Sequence, residues 1–256
     1  MRENVQIKTA DEIARIRAAS LIVHDVLDEV VAAVAPGVTT AELDRVAARG
    51  AAARGAVPAF LGYHGYPATI CISVNEEVVH GIPSERRVLR EGDVVGLDFG
   101  VSYQGFFGDA ARTVPVGTVA PEASRLLAIT AEALQRAIEA ARPDGRLGDI
   151  GFAVQAHVEP RGFAVVRDFV GHGIGRKLHE PPQVPNYGAP GSGLRLRSGM
   201  VIAIEPMVNA GRAAVRTLDD GWTAVTVDGS LSAHFEHTVA ITEDGPEVLS
   251  RPLQGG

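Results

Sequence analysis

The chain has 256 residues, 46% of them hydrophobic and 21% charged, which is enough apolar material for a substantial core. Its formal net charge of −7 argues against a nucleic-acid-binding surface. The single cysteine, Cys71, excludes an internal disulfide, and no uncharged run reaches the roughly 20 residues that cross a bilayer. The polar segment from Arg2 to Lys8 lacks the apolar core of a signal peptide, so we expect a soluble cytoplasmic protein.

The first part of the chain predicts two helices, each introduced by a capping box. Thr9–Glu12 opens the first helix, which Pro36-Gly37 closes, and Thr39–Glu42 opens the second, which runs towards Gly55. In the first helix, apolar residues recur at steps of three and four, which is typical of one buried face. The residues of that face are Ile13, Ile16, Ser20, Val23, Leu27, Val30 and Val34.

A β-hairpin with two carboxylates follows two short predicted strands. Asp98 lies within an apolar run, Val101–Gly105 is predicted as the turn, and Asp109 lies in the returning strand. We expect the two aspartates side by side, because directly opposed residues have Cβ atoms only about 5 Å apart. Two ionised carboxylates at that distance repel, and a cation between them would reverse the effect. The other predicted elements are strands near Ala68–Val74 and Glu77–His80, helices over Pro121–Ala141 and Leu147–Glu159, and strands beyond Gly162.

The chain resembles itself at a shift of 107 residues, which predicts an internal duplication. Leu89–Asp98 aligns with Leu196–Glu205, so Asp98 and Glu205 are expected at equivalent places. Both halves read as helix, helix and hairpin, over roughly 10–115 and 119–245, within a single domain spanning 1–256. The same shift also aligns Pro36 with Pro143, Leu43 with Ile150, Arg54 with Arg161 and Gly55 with Gly162.

Five side chains stand where an apolar core would not favour them. One acid in a strand is more often exposed or salt-bridged, and one Gly-His-Gly loop is more often only a turn. Together, four carboxylates and one imidazole suit a pair of divalent cations such as manganese, iron or cobalt, whereas a structural zinc site would use thiolates or more histidines. The five are Asp98, Asp109, His172 in a Gly171–Gly175 loop, Glu205, and Glu236 in a final strand over Ser232–Ile241.

Over nearly its whole length the sequence resembles type I methionine aminopeptidases. The resemblance implies the α/β pita-bread fold, in which two pseudo-symmetric halves surround a curved antiparallel sheet and enclose a dinuclear metal site. The motifs that carry it are Tyr63–Pro67, Cys71–Pro83, the Asp98 and Asp109 strands, Gly171–Gly175, His179-Glu180, Glu205-Pro206 and Glu236–Thr238.

The resemblance also implies roles for the five metal-site residues. Asp98 would bind one divalent ion, His172 and Glu205 would bind the other, and Asp109 and Glu236 would bridge both. Cobalt, manganese, iron, zinc and nickel are all candidates. A hydroxide bridging the ions would be the nucleophile, as in other two-metal hydrolases.

Three residues would act in catalysis. Glu205 would pass the proton of the attacking water towards the leaving amine. His179 would donate a hydrogen bond to the scissile carbonyl oxygen, and His80 would contact the scissile amide nitrogen.

The implied substrate is the initiator methionine of a nascent chain whose second residue is small. Phe60, where relatives often have a smaller or sulfur-bearing residue, and Leu178, where an aromatic one is frequent, leave the shape of the methionine pocket open. Asn75 and Ser232 would hold a sodium or potassium ion through backbone carbonyls. Besides His80 and His179, the implied pocket residues are Phe60, Tyr63, Tyr66, Cys71 and Trp222.

The expected partners are nascent peptides and, transiently, the ribosome, with neither nucleic acid nor membrane bound directly and a monomer favoured. Three alternatives stay open. A proline-directed relative such as prolidase would share the five ligands, although such enzymes usually carry an extra N-terminal domain. A type II methionine enzyme would need a helical insertion, for which the short spacings from His172 to Glu205 and on to Glu236 leave little room. A non-catalytic peptide-binding relative would usually lack several ligands.

Overall fold

The computed structural model describes residues 5–252, so the first residues of the polar N-terminal segment lie outside the description. No helix in this range is long and apolar enough to cross a membrane. The helices are α1 (Ala10–Ala32), α2 (Thr40–Ala53), α3 (Pro121–Ala140) and α4 (Leu147–Val158), with 3-10 turns at Tyr63–Gly65 and Glu159–Arg161. The strands are β1 (Val57–Pro58), β2 (Cys71–Val74), β3 (Glu77–Val79), β4 (Val94–Tyr103), β5 (Phe106–Pro115), β6 (Ala164–Val165), β7 (Gly171–Gly173), β8 (Glu180–Val184), β9 (Val201–Ile204), β10 (Met207–Asn209), β11 (Val215–Thr217), β12 (Ala224–Thr226), β13 (Ser232–His234), β14 (Glu236–Thr242) and β15 (Gly245–Val248).

One large sheet organises the molecule. Its nine strands follow the order β1-β4-β5-β14-β9-β7-β8, with β2 paired to β4 and β15 paired to β14. Two smaller sheets have the orders β13-β10-β6 and β11-β12-β3, and the strand pairs of all three sheets are antiparallel. The mixed α/β class predicted from the sequence is therefore confirmed.

Both predicted capping boxes are present. The Thr9 hydroxyl accepts a hydrogen bond from the Glu12 backbone N–H at 3.3 Å, and the Glu12 carboxylate accepts one from the Thr9 N–H at 3.0 Å. The Thr39–Glu42 pair repeats this arrangement at the start of α2. These reciprocal bonds satisfy N–H groups that the first helical turn would otherwise leave unpaired, and they fix where each helix begins.

The hairpin differs from the prediction in its turn and register. The strands continue to Tyr103 and from Phe106, so the turn consists only of Gln104 and Gly105, with φ of 50° and 81°. Positive φ at both positions is typical of a type I′ turn, whose twist matches the flanking strands. This short turn sets the register for the whole hairpin.

As a result, Asp98 and Asp109 are not directly opposed. Asp98 pairs with Ala111, and Asp109 pairs with Gly100, so the aspartates are diagonal neighbours on one face. Diagonal Cα atoms are about 7–8 Å apart, which leaves more room for an ion than direct opposition would.

Two further predictions need correction. The Gly-His-Gly segment is not a loop, because Gly171–Gly173 pairs with both β8 and β9 as a strand. The predicted final strand over Ser232–Ile241 is broken at Phe235 into β13 and β14, and β15 follows it. The break lets β13 pair with β10 while β14 pairs with β9.

The two halves share contacts at the spacing that the repeat predicts. Each half has a helix pair packed on sheet strands around its own apolar cluster, which contains Leu27 and Phe99 in the first half and Leu126 and Ile202 in the second. Four contacts match at a shift of 107 residues, which supports the predicted duplication. They are the bridges Thr39–Val88 and Arg146–Arg195 and the backbone hydrogen bonds Gly37–Leu89 (2.8 Å) and Asp144–Leu196 (3.0 Å).

Candidate metal centre

A cavity of about 430 Å³ brings together every residue predicted for the site. It lies on the face of the large sheet away from the helices. Leu97 and Phe99 point into the helical core, and alternation along the strand turns Asp98 to the opposite face. The residues of the predicted metal site, catalytic group and pocket that line the cavity are Phe60, Tyr63, Tyr66, Cys71, His80, Asp98, Asp109, His172, His179, Glu205, Trp222 and Glu236.

The five candidate metal ligands come from five neighbouring strands. Along the order β4-β5-β14-β9-β7, these strands supply Asp98, Asp109, Glu236, Glu205 and His172 in turn, with Glu205 directly after the end of β9. Strands in a sheet lie about 5 Å apart, so side chains on the same face converge over a short distance. The sheet order therefore assembles residues that are far apart in the sequence.

The ligand atoms are close enough to share a cation. One ligand atom each of Asp109, His172 and Glu236 lies within 4.8 Å of the others. His172 Nε2 lies 3.9 Å from Asp109 Oδ2 and 3.6 Å from Glu205 Oε1. Asp109, His172 and Glu236 are buried, and Asp98 and Glu205 are partly exposed to the cavity.

The carboxylates have too few partners for their burial. Asp98 Oδ1, Asp109 Oδ1 and Glu236 Oε1 are inaccessible to solvent and have no hydrogen-bond partner among residues 5–252. Within the same range, no lysine or arginine forms an ion pair with any of the four acids. Because buried charges are normally paired or bound to metal, these oxygens fit a divalent cation that they could coordinate.

The pKa values reflect the same lack of counter-charge. The pKa of Asp98 is raised to about 7, mainly by burial, while His234 lowers it and the Glu205 charge adds to the rise. Burial raises the pKa of Glu205 to about 8. The pKa values of Asp109 and Glu236 lie well above their usual range, first because of burial and then because of the neighbouring carboxylates. A bound cation would restore the ionised forms.

His172 is oriented as a metal ligand requires. Its Nδ1 lies 2.9 Å from the Gly173 carbonyl oxygen, which can only accept a hydrogen bond, so Nδ1 carries the proton. Nε2 is then free to offer its lone pair towards the acids. Burial, reinforced by the nearby His179, lowers the pKa of His172 to about 3, so the ring is neutral at physiological pH.

His179 and His80 border the cavity outside the ligand cluster. His179 Nδ1 lies 2.8 Å from the Tyr63 hydroxyl, and its ring centroid is 4.1 Å from that of His172. His179 is an exposed residue, yet the protein around its ring lowers its pKa by desolvation. Burial lowers the pKa of His80 to about 4, and its ring stands edge-to-face with Phe169 at 5.5 Å.

One end of the cavity is apolar and firmly held. The buried Tyr66 hydroxyl donates to the Gly81 carbonyl at 2.8 Å, and its ring stands edge-to-face with Trp222 at 5.2 Å. Cys71 lies directly opposite Asp98 in the β2–β4 ladder, so a sulfur atom adjoins the acids. Aromatic edges and a polarizable sulfur suit a thioether side chain.

Two residues near the site, His64 and His234, extend the set predicted from the sequence. His64 lines the cavity, as does Leu178, which the sequence already associates with the methionine pocket. His234 is not among the residues predicted for the site, yet its Nε2 lies 3.5 Å from Glu205 Oε2. Alternation along the predicted strand over Ser232–Ile241 puts His234 on the same face as Glu236, but nothing local in the sequence indicates that it meets Glu205.

Asn75 and Ser232 also meet in the structure. The Ser232 N–H donates to the Asn75 carbonyl at 2.9 Å, and Asn75 has a left-handed φ of 60°. The contact brings together the two loops expected to hold a monovalent ion, and the ion itself stays a prediction.

Known proteins show how this arrangement is classified. Residues 14–243 match the model of metallopeptidase family M24. The chain belongs to this family. It is 53% identical to a methionine aminopeptidase of Clostridium perfringens over 95% of this chain and 98% of that protein. It is 50% identical to methionine aminopeptidase 1 of Bacillus subtilis, again over 95% of this chain and 98% of that protein.

Solved structures agree with this assignment. The methionine aminopeptidase of Thermotoga maritima superposes with a TM-score of 0.95 at 48% identity, covering 97% of this chain and 100% of that one. The expected pita-bread fold is thereby confirmed, as is the resemblance to type I methionine aminopeptidases. The likeness to the prolidase of Pyrococcus horikoshii shows the common fold, with a TM-score of 0.75 at 23% identity over 97% of this chain and 64% of that chain.

Proposed function

We propose that this M24 metallopeptidase removes the N-terminal methionine from peptides whose second residue is small. The observation that carries the proposal is the set of five ligands, delivered by five adjacent strands to one cavity beside a rigid apolar pocket. The close relatives named methionine aminopeptidase support the same activity.

Asp98, Asp109, His172, Glu205 and Glu236 would hold two divalent cations, with Asp109 and Glu236 shared between them. When bound, the cations supply Lewis-acid polarisation of the scissile carbonyl and lower the pKa of water. Four carboxylates carry too much charge for a single divalent ion, and this supports a pair. The identity of the metal is left open among cobalt, manganese, iron, zinc and nickel.

The protein's own groups would then manage protons and orientation. The Glu205 carboxylate takes a proton from the attacking water and passes it to the leaving amine. We infer that the Tyr63 hydroxyl, 2.8 Å from His179 Nδ1, is the donor of their hydrogen bond, which would fix the tautomer that carries a proton on Nε2. That N–H can donate to the scissile carbonyl oxygen as charge develops there. His80, neutral because it is buried, would contact the scissile nitrogen.

The apolar end of the cavity would select methionine. Tyr66 and Trp222 form a wall that cannot move without breaking their mutual packing, and Cys71 and Phe60 contribute to the same enclosure. A rigid apolar slot suits an unbranched thioether better than a charged or β-branched side chain. The second residue would pass close to the metal ligands, so we expect a small side chain at that position.

The wider cellular setting follows from the substrate. New chains carrying an initiator methionine leave the ribosome, so we propose transient contact with it in the cytoplasm. A monomer is proposed as the working state. A sodium or potassium ion near Asn75 and Ser232 belongs to the same proposal.

The direct test is methionine release from the peptide Met-Ala-Ser with added manganese or cobalt. The wild-type chain should release methionine, and Asp98→Asn should lose at least 100-fold in kcat/KM while keeping its circular dichroism spectrum. Asp11→Asn makes the same chemical change at an exposed site on α1 and should leave kcat/KM unchanged.

Two results would contradict the proposal. Cleavage of an Ala-Pro peptide in preference to Met-Ala-Ser would favour the proline-directed alternative. Tight binding of Met-Ala-Ser without release of methionine, at full metal occupancy, would favour a non-catalytic peptide-binding protein.

A further inference from the structure

His234 is a buried histidine beside Glu205 that the roles above do not use. Only 4% of its surface is exposed to solvent, and its Nε2 has no hydrogen-bond partner in the described part of the chain. Nε2 lies 3.5 Å from Glu205 Oε2, while Glu205 Oε1 lies 3.6 Å from His172 Nε2. The Glu205 carboxylate therefore lies between two imidazoles, one on each oxygen.

The sheet register explains why His234 reaches Glu205. Met207 of β10 pairs with His234 of β13, and Ile204 of β9 pairs with His237 of β14. The two strand pairs therefore have the same register on either side of the break at Phe235. Continuing that register sets Glu205 across from Glu236. His234, two residues before Glu236, is then the diagonal neighbour of Glu205.

The first half of the chain uses the same diagonal position for a ligand. Asp98 pairs with Ala111, and Asp109 lies two residues before Ala111. His234 thus occupies, relative to Glu205, the place that Asp109 occupies relative to Asp98. The duplicated framework puts a polar side chain at this point in both halves.

The backbone of His234 is tightly held. Its N–H donates to the Thr113 hydroxyl at 2.9 Å, and that hydroxyl donates back to the His234 carbonyl at 2.8 Å. Glu205 is held from the other side, because Asn186 donates to its carbonyl oxygen at 2.9 Å. With both backbones anchored, the two side chains have little freedom to separate.

We propose that His234 is a positioning residue whose Nε2–H donates to Glu205 Oε2, leaving Oε1 to bind a divalent cation together with His172. The distance of 3.5 Å slightly exceeds the usual N–H···O range of about 2.7–3.2 Å, and a small rotation of the Glu205 side chain closes it. This inference rests on the proposed metal centre. A hydrogen-bond donor to a metal-coordinating side chain orients that side chain and raises the affinity of the site for the metal.

The test compares three variants by titrating metal-depleted protein with Mn²⁺ in a calorimeter. His234→Leu removes the donor, and we expect a ~10–100-fold loss of Mn²⁺ affinity. His234→Gln keeps an N–H donor at a similar reach, so its Mn²⁺ affinity should stay within about threefold of wild type. Even a ~10-fold loss in His234→Leu would then be clearly larger than the change in His234→Gln. His157→Leu is the matched control, since His157 is also 4% exposed but lies on α4, where it contacts Glu132 of α3 and does not line the cavity.

Methionine release by the same proteins separates positioning from packing. His234→Leu should lower kcat with little change in KM, because the substrate pocket is untouched, and His234→Gln should restore kcat. His157→Leu should lower the unfolding temperature without altering Mn²⁺ affinity. Wild-type Mn²⁺ affinity in folded His234→Leu would overturn the proposal, as would a His234→Gln variant that is no better than Leu.

A measurement on the wild-type chain covers the case in which His234→Leu does not fold. Long-range ¹H–¹⁵N spectra of the Zn²⁺-loaded protein report which ring nitrogen of His234 carries the proton. The proposal expects it on Nε2, and a proton on Nδ1 or direct coordination by Nε2 would overturn it. Because metal affinity and tautomer are read without substrate, their outcome is independent of whether methionine is released.

Discussion

Asp109 and Thr238 are joined by two hydrogen bonds where strands β5 and β14 meet. The Asp109 N–H donates to the Thr238 hydroxyl at 3.2 Å, and that hydroxyl donates to the Asp109 carbonyl at 2.8 Å. The Thr238 N–H in turn donates to the Ser250 hydroxyl at 3.1 Å. The Thr238 hydroxyl thus takes the place of a backbone partner for Asp109, which is a proposed bridging ligand.

Thr238→Val should therefore impair both stability and activity. The change keeps the side-chain volume but leaves a buried N–H and carbonyl of Asp109 without partners, which costs about 1–3 kcal/mol. We expect a loss of that size in urea unfolding and about a 10-fold fall in kcat/KM, equivalent to ~1.4 kcal/mol. Thr238→Ser retains the hydroxyl and should lose much less, and a valine variant with wild-type kinetics would contradict the assigned role.

Tyr63→Phe should slow catalysis without weakening substrate binding. The substitution removes the hydroxyl that lies 2.8 Å from His179 Nδ1. The His179 ring is then no longer held in the tautomer whose Nε2–H can donate to the scissile carbonyl oxygen. One hydrogen bond of about 1 kcal/mol corresponds to a roughly 5-fold lower kcat. Steady-state kinetics with Met-Ala-Ser measure it. A change confined to KM would show that Tyr63 only shapes the pocket.

Removal of metal should make stability depend on pH in a defined direction. In the folded chain the pKa of Asp98 is raised to about 7 and that of Glu205 to about 8, both by burial. At these two carboxyl groups the folded state binds more protons than the unfolded state, so their contribution to the free energy of unfolding falls as pH rises. This contribution falls from near the unfolded pKa values of about 4 to above pH ~8. Below pH ~6.5 the neutral His80 and His172 oppose it, because the unfolded chain binds protons there that the folded chain does not.

Urea unfolding of chelator-treated protein between pH 5 and pH 8.5 measures this effect. We expect the metal-depleted chain to be less stable at pH 8.5 than at pH 6.5, where the histidines no longer contribute, and Mn²⁺ to stabilise it more at pH 8.5. Asp98→Asn should flatten the slope of the metal-depleted chain. A slope of the opposite sign would show that the acids are ionised and paired within the protein alone.

The thiol of Cys71 should react slowly in the folded protein. Burial raises its pKa well above the usual range, and the adjacent Asp98 charge raises it further. Because the thiolate is the reactive form, alkylation by iodoacetamide at pH 8 should be far slower than in urea. Mass spectrometry follows the reaction cleanly, since the chain has one cysteine. Equal rates in both states would contradict the burial of this residue.

Local rules predicted the elements well where the signal lies in adjacent residues. The Thr9–Glu12 and Thr39–Glu42 boxes are both present, because capping depends only on residues three apart. The five metal-site residues came together as expected, although composition alone left their roles open and the resemblance supplied them.

Longer-range geometry was harder to obtain. The turn at Gln104-Gly105 was predicted too long, and the expected pairing of Asp98 with Asp109 differs by two residues from the observed pairing with Ala111. A hairpin's register follows from its turn, so a small error in the loop shifts every pair. His234 was missed because its importance depends on Glu205, which reaches it only through a pairing of distant strands.

The most direct test of the metal centre is a crystal structure grown with Mn²⁺, with anomalous difference density recorded at the manganese absorption edge. We expect two peaks about 3.5–4 Å apart, with oxygens of Asp109 and Glu236 contacting both. Asp98 should contact one peak, and His172 and Glu205 the other. Anomalous density elsewhere, or an empty cavity at saturating Mn²⁺, would contradict it.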